Sequence, residues 1–314
     1  MFAGHIQLVR SLDGGATWTS ISAGAGGTAV HGDHHALAFA ADGSTLYEVS
    51  DGGIFSTTDV ITSPITWKSL NAGLGITQFY GGLSIHPTNV AIGFGGSQDT
   101  GTLAYAGSTP WRLVTCGDGG WTAIDPVDPT NVYAGCQQIS VLKSTQAGAP
   151  GTFRQSQNGI NSTDRVEFIP PLVMDPSNSK RLYFGTFRLY QTFDGAASWN
   201  AISPDLAGGS NTLTAIGVSE RDPNTIYLGT NAGHVQVTGD ALSLSGAASH
   251  WRDRSSGLPS RTVTQIVVDP ENASTAYVTL SGFALPWDTR GNVFMTSHGG
   301  VSWRDISGIC QTSR

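Results

Sequence analysis

A chain of 314 residues with 12% charged residues and a formal net charge of -7 has no basic stripe of the kind that binding a phosphate backbone requires, so nucleic acid is excluded as a partner. It has no apolar run of 18 or more residues and no basic-then-apolar leader, so neither a membrane span nor a signal peptide is expected. Its 41 glycines fit many short strands joined by tight turns, where Gly supplies positive φ, and do not support long helices.

In chain order, Met1-Phe2-Ala3-Gly4 reads as the end of a strand like Val132-Tyr133-Ala134-Gly135 or Ile226-Tyr227-Leu228-Gly229. The next stretch, Ser11-Leu12-Asp13-Gly14-Gly15-Ala16-Thr17-Trp18, returns in altered form along the whole chain. Good copies end at Trp199 and Trp303, the latter with His298 in place of the Asp, and weaker ones end at Trp67, Trp111, Phe153 and Trp251. The intervals between these aromatics are 49, 44, 42, 46, 52 and 52 residues, the period of a four-stranded propeller blade.

Six complete units are predicted, with first strands beginning at His35, Gln78, Trp121, Phe168, Leu213 and Val263. Their inner hairpins mostly turn on His86-Pro87, Asp125-Pro126, Asp175-Pro176, Asp222-Pro223 and Asp269-Pro270, in which Pro presets φ and the preceding side chain caps the turn. The fold class is therefore all-β, a propeller of the seven-bladed type read as one domain over 1–314. Residues 1–22 form an incomplete half blade, as in a fragment of a longer chain. Its missing strands are expected from a flanking region or from a second copy, since a bare strand edge invites pairing. The closing aromatics are read first as packing residues.

Topology sorts the polar residues. Loops between blades and between strands two and three open at one end of the blades, and the repeated Asp turns at the other. The first group holds His31, Asp33, His34, His35, Gln78, Tyr80, Asp118, Arg165, Glu167 and Arg261, with Asp51, Gln98, Asp99, Gln137, Gln138, Arg188 and Asn231. Carboxylates sharing a partly dry cleft shift one another's pKa, as glycoside hydrolysis requires of its acid and its base or nucleophile. The competing reading of Asp51-Gly52-Gly53 and Asp118-Gly119-Gly120 is a turn residue bonding its own backbone. Alternation in His31-Gly32-Asp33-His34-His35 sets His34 apart from Asp33 and His35, so these groups are read as hydrogen-bonding residues and no metal or other cofactor is predicted. Cys116 and Cys136 flank one predicted hairpin; a disulfide is open, with two buried free thiols the favoured reading. Asn161-Ser162-Thr163 and Asn272-Ala273-Ser274 match the glycosylation sequon.

The Ser/Thr-x-Asp-x-Gly-x-x-Trp stretch resembles the Asp-box of bacterial neuraminidase (BNR) repeats, a hairpin turn whose Asp ties down the loop and whose Trp wedges between blades. The segments from His31 to Phe55, Gln78-Phe79-Tyr80 and Gly95 to Gly101 resemble glycosyl-hydrolase-like proteins of the sortilin and neuraminidase-repeat class. Leu46 to Asp59 is similar to the stretch carrying a catalytic aspartate in the xyloglucanases of glycoside hydrolase family 74, and that aspartate falls on Asp51. Those enzymes clamp substrate between two propellers, and one is present here. The resemblance implies a carbohydrate-active propeller acting on a polysaccharide or glycan outside the cytoplasm. Its candidate catalytic pair is Asp51 with Asp99, and Asp33 or Asp118 are substitutes. His35, Tyr80, Gln98, Gln137, Arg188 and Arg165 would bind substrate, and Phe79, Phe187 and Trp287 would stack on sugar rings. The alternative is a non-catalytic propeller, sortilin-like or like photosystem-assembly factors. A sialidase ranks third: Arg165, Arg188, Arg261, Tyr80 and Glu167 supply the residue types, but the Arg-Ile-Pro stretch is absent.

Overall fold

The computed structural model describes residues 1–75, 77–243, 250–282 and 289–308. It is all-β, with two 3-10 turns, Ala25–Gly27 and Ala241–Ser243, as its helical elements among the described residues. Among the described residues its seven antiparallel sheets are propeller blades, six of four strands and one of three. The chain divides into two compact units, Met1–Gln78 and Phe79–Arg314.

The first unit holds two sheets. One is three-stranded (Phe2–Gly4, Leu8–Arg10, Thr19–Ser20), so the opening residues pair as a strand of their own. The other runs His34–Phe39, Leu46–Ser50, Gly53–Thr57 and Lys68–Ser69. Between the two lies a core of Leu8, Ile21, Val30, Leu46, Ile65 and Trp67.

The second unit holds five sheets. Their first strands are Ser84–Ile85, Gly119–Ile124, Leu172–Asp175, Leu213–Val218 and Val263–Asp269. Two of these start later than the sequence predicts. Pro170 and Pro171 bring no N–H to the ladder, which displaces the start from Phe168 to Leu172. After Phe79, which makes a single bridge to Ser97, the chain swings through Gly82 at φ 81, and a Cβ there would meet the Trp121 ring at 2.2 Å. The cores again lie between successive sheets: Tyr133 and Val141 of one sheet pack with Leu172, Leu182, Phe184 and Trp199 of the next.

Each closing aromatic immediately precedes the last strand of its sheet, and three of them repeat one bond. Trp67 Nε1 donates to Ile21 O (2.8 Å), Trp199 Nε1 to Ser156 O (2.8 Å) and Trp303 Nε1 to Arg254 O (2.6 Å). Every acceptor is the residue just after the last strand of the preceding sheet. The indole thus buries its area between sheets and satisfies its one donor on backbone that has left the ladder.

The turns between strands three and four are tied by their own side chains. Asp194 Oδ1 accepts from Thr192 Oγ1 (2.7 Å) and from the Ser198 N–H (2.9 Å), while Oδ2 accepts from Ser198 Oγ (2.6 Å). Asp13, in the turn before the last strand of the three-stranded sheet, repeats the pattern with Ser11 and Thr17. The turns between strands one and two use the predicted caps: Asp125, Asp175 and Asp269 each accept backbone N–H groups two or three residues ahead, and His86 Nδ1 does the same for Thr88 and Asn89.

Candidate functional site

Turns one-to-two and three-to-four share one end of each sheet, so the turns two-to-three and the starts of first strands share the other. Every sequence-predicted site residue among the described residues falls at that second end of its sheet. Four of the six non-glycine residues at positive φ among the described residues also lie at that end of their own sheets: Asp33 (57°), Asp99 (64°), Cys116 (64°) and Gln138 (56°). Such backbone costs about 1–2 kcal/mol per residue and concentrates where side chains must be aimed.

In the first unit a bulge between His34 and Ala36 sends two adjacent histidines to different environments. The His34 side chain is 1% exposed, and its Nδ1 lies 2.6 Å from Oε1 of fully buried Glu48. His35 is 62% exposed, with Nε2 2.5 Å from Oδ1 of Asp51, which is 28% exposed. Asp51 therefore holds an imidazole at the open end of the sheet. His31 lies on the same side of the turn, where a Cβ on Gly52 would meet its Cβ at 2.3 Å.

In the second unit Tyr80, Gln98, Asp99 and Asp118 come together. Tyr80 Oη donates to Gln98 Oε1 (2.6 Å), and the Asp99 N–H donates to Asp118 Oδ1 (2.9 Å). Partial burial raises the Tyr80 pKa, and the charges of Asp118 and Asp99 raise it further. The arrangement depends on glycine. A Cβ on Gly96 would lie 2.1 Å from Gly120 O, and one on Gly119 would lie 2.3 Å from Gly101 O, so two backbones approach as no side chain would permit.

Next to this group Cys116 and Cys136 form a disulfide with a Cα–Cα distance of 5.7 Å, which corrects the expectation of free thiols. Strand pairing sets Gly119 opposite Cys136, and the left-handed turn at Cys116 folds its thiol back over that pair, inside bonding distance. Gln137 follows the bridge, half-buried.

The arginines are committed to the protein. Arg188 makes a bidentate pair with Asp164, Nε to Oδ2 at 2.8 Å and Nη2 to Oδ1 at 2.6 Å, and Asp164 also accepts from Tyr190 Oη (2.7 Å) and Thr186 Oγ1 (3.1 Å). Burial opposes ionisation of Asp164, but the Arg188, Tyr190 and Thr186 hydrogen bonds and the Arg188 charge outweigh it and lower its pKa. Arg165 pairs with Asp205 and donates to Asn211 O (2.9 Å), with its guanidinium 4.2 Å from the Phe187 ring. Arg188 lies 4.9 Å from the same ring, so Phe187 already stacks on cations. Glu167 accepts from Thr212 Oγ1 and from Asn231 Nδ2 (3.1 Å). Phe79 leans on Trp111 with centroids 4.8 Å apart, and Trp287 lies outside the described residues.

Two residues of consequence escaped the sequence reading, Glu48 and Asp164. Glu48 sits mid-strand, where a carboxylate among Leu46, Tyr47 and Val49 was the available signal of an inward partner. Asp164 adjoins Arg165 in a between-sheet segment and was open to the same topological sorting. Among the described residues no three His, Cys, Asp or Glu side chains group to hold a metal ion, and no helix is long and apolar enough to cross a membrane.

No family model matches the chain. In sequence it is 29% identical over 235 residues, 73% of its length, to a xyloglucanase of Hypocrea jecorina (strain QM6a), and it spans 26% of that protein. In structure it is similar to a family 74 xyloglucanase from Xanthomonas campestris (TM-score 0.53, 15% identity, 84% of this chain and 43% of that one). It is also similar to an ancestral family 74 enzyme (TM-score 0.54, 18% identity, 80% and 34%). YCF48 from Cyanidioschyzon merolae shares the fold as well (TM-score 0.53, 11% identity, 89% and 86%). The chain thus resembles the propellers of glycoside hydrolase family 74 and is a glycoside-hydrolase-like propeller that spans less than half the length of those enzymes.

Proposed function

We propose that this propeller acts on a polysaccharide of the β-glucan or xyloglucan class, with catalytic carboxylates drawn from Asp51, Asp99 and Asp118. The observation that carries this reading is the sequence similarity to a xyloglucanase over 73% of the chain, which exceeds what a shared superfold supplies. The carboxylates add to it. Asp51 is half-open to solvent beside His35, and Asp118 and Asp99 adjoin a phenol whose pKa they raise. Asp33 is the reserve acid, exposed and in a left-handed turn. Tyr80, Gln98, His35 and Gln137 are the proposed sugar-hydroxyl partners, since each keeps a polar group at the open end of its sheet. Arg165 and Arg188 fit a positioning role better, because carboxylates already hold both. Action outside the cytosol is supported by the Cys116–Cys136 disulfide, which persists in oxidising compartments. The repeated Asp turns, with Ser or Thr two residues before and four after the Asp, support a BNR-type repeat.

The test is hydrolysis of xyloglucan, mixed-linkage β-glucan and xylan by the protein and by Asp51→Asn, Asp99→Asn and Asp118→Asn. Loss of an acid or nucleophile lowers kcat by about 10³-fold or more. Turnover that survives all three substitutions would place the chemistry elsewhere. The second reading is a glycan- or protein-binding propeller, supported by size: the chain covers 86% of YCF48 against 26% of the xyloglucanase. Retention of a glycan with no cleavage of any substrate decides for it.

A further inference from the structure

The opposite end of the last two sheets carries a cavity of ≈ 560 Å³, within the second unit and remote from the residues above. It opens between the sheet beginning at Leu213 and the one beginning at Val263, on the side of turns one-to-two and three-to-four. Its wall includes Tyr227, Thr238, Asp240, Arg252, Arg254 and Ser274. The volume falls in the range of small-molecule sites, about 300–1,000 Å³.

The charge balance of that wall is uneven. Asp240 is engaged by His250 and by Thr238 Oγ1 (2.6 Å). Nearby Asp253 is held by Ser255 N–H (2.9 Å) and His234 (3.4 Å). Neither Arg252 nor Arg254 has a carboxylate partner among the described residues, and Arg254 Nε is buried with no hydrogen-bond partner. Both arginines stand on the cavity wall without a counter-charge, and an anion in the cavity supplies one. The rest of the wall is rich in hydroxyls: Thr225, Thr238, Ser274 and Tyr227, whose Oη donates to Ala273 O (2.8 Å) and keeps its lone pairs for an incoming donor.

We propose that this cavity binds an acidic sugar of one or two rings, its carboxylate or sulfate held by Arg252 and Arg254 and its ring hydroxyls by Tyr227 and Ser274. It is a second glycan site, independent of the proposed hydrolytic one. An anion on a hydroxylated ring satisfies both halves of the wall, whereas a neutral sugar leaves the guanidinium unpaired.

Calorimetric titration of the full chain with digalacturonate, a sulfated disaccharide, cellobiose and inorganic phosphate tests this. The expected result is saturable binding of at least one acidic disaccharide, at least tenfold tighter than cellobiose and weakened by salt. Arg252→Gln and Arg254→Gln should each weaken it at least tenfold, and Asp51→Asn should leave it unchanged. Arg252 is exposed, so its substitution reads binding without loss of fold. Equal binding of cellobiose, binding unaffected by either arginine substitution, or binding of phosphate with neither acidic sugar would each overturn the proposal.

Discussion

The two ends of these sheets use the same residue type for opposite purposes. At the end of turns one-to-two and three-to-four, Asp13, Asp125, Asp175 and Asp194 accept mainly from backbone and hydroxyl groups within five residues of themselves. At the other end the carboxylates reach across sequence: Asp51 to His35, Asp164 to Arg188 and Tyr190, Glu167 to Thr212 and Asn231, Asp118 to the Asp99 N–H. A carboxylate tied to its own turn is fixed by local geometry and has most of its lone pairs already engaged, with Asp125 and Asp175 also engaging Lys180 and Arg181. One tied through distant partners exists only in the folded chain and can be aimed.

The contrast breaks first at Asp164. Its substitution by Ala leaves buried Tyr190 Oη and the half-buried Arg188 without their acceptor, and loss of one member of a buried ion pair costs about 3 kcal/mol. Chemical denaturation should show this as a lower midpoint at unchanged slope. Equal stability would mean that Arg188 finds another anion.

The disulfide at the same end is next. Its sequence separation of 20 residues corresponds to about 3 kcal/mol in the loop-closure account, less whatever the native geometry takes back. Cys116→Ser with Cys136→Ser should lower Tm by several degrees, and in the proposed enzyme should also lower turnover through Asp118 and Asp99. A variant with lower Tm and unchanged turnover would separate the bridge from the site.

The turn end sharpens the comparison through pH. Against the cost of burial, hydrogen bonds from Ser198 and Thr192 and from the Ser198 backbone hold the Asp194 pKa at about 2, below the ordinary 3.8. A lowered folded-state pKa adds stability that is fully present above the unfolded value and is lost as pH falls through the folded one, here between about pH 4 and pH 2. Discounted for solvent screening at an exposed carboxylate, it amounts to about 1 kcal/mol. Asp194→Asn should therefore destabilise at pH 7 and not at pH 2, with hydrolysis unaffected. The smallest effect is expected at His35→Ala, under about 0.5 kcal/mol because the side chain is 62% exposed. If Asp51 is catalytic, the same substitution shifts the pH profile of kcat.

What the sequence by itself determined was local and periodic. A Trp or Phe before each fourth strand, a Pro-containing cap in five inner turns and an Asp two residues past a Ser or Thr act over fewer than ten residues. Their spacing therefore announced seven sheets and their end-to-end polarity. Tertiary structure decided which charges were spent. Nothing in the order of residues said that Arg188 would be neutralised by Asp164, 24 residues earlier, or that a bulge would bury His34 against Glu48 while leaving His35 beside Asp51. The same holds for the disulfide: a spacing of 20 residues admits a bridge or two thiols, and only the pairing of Gly119 with Cys136 brings the sulfurs together. The period of a strand is set by its own backbone, whereas the partner of a side chain is set by which strands lie next to it in space.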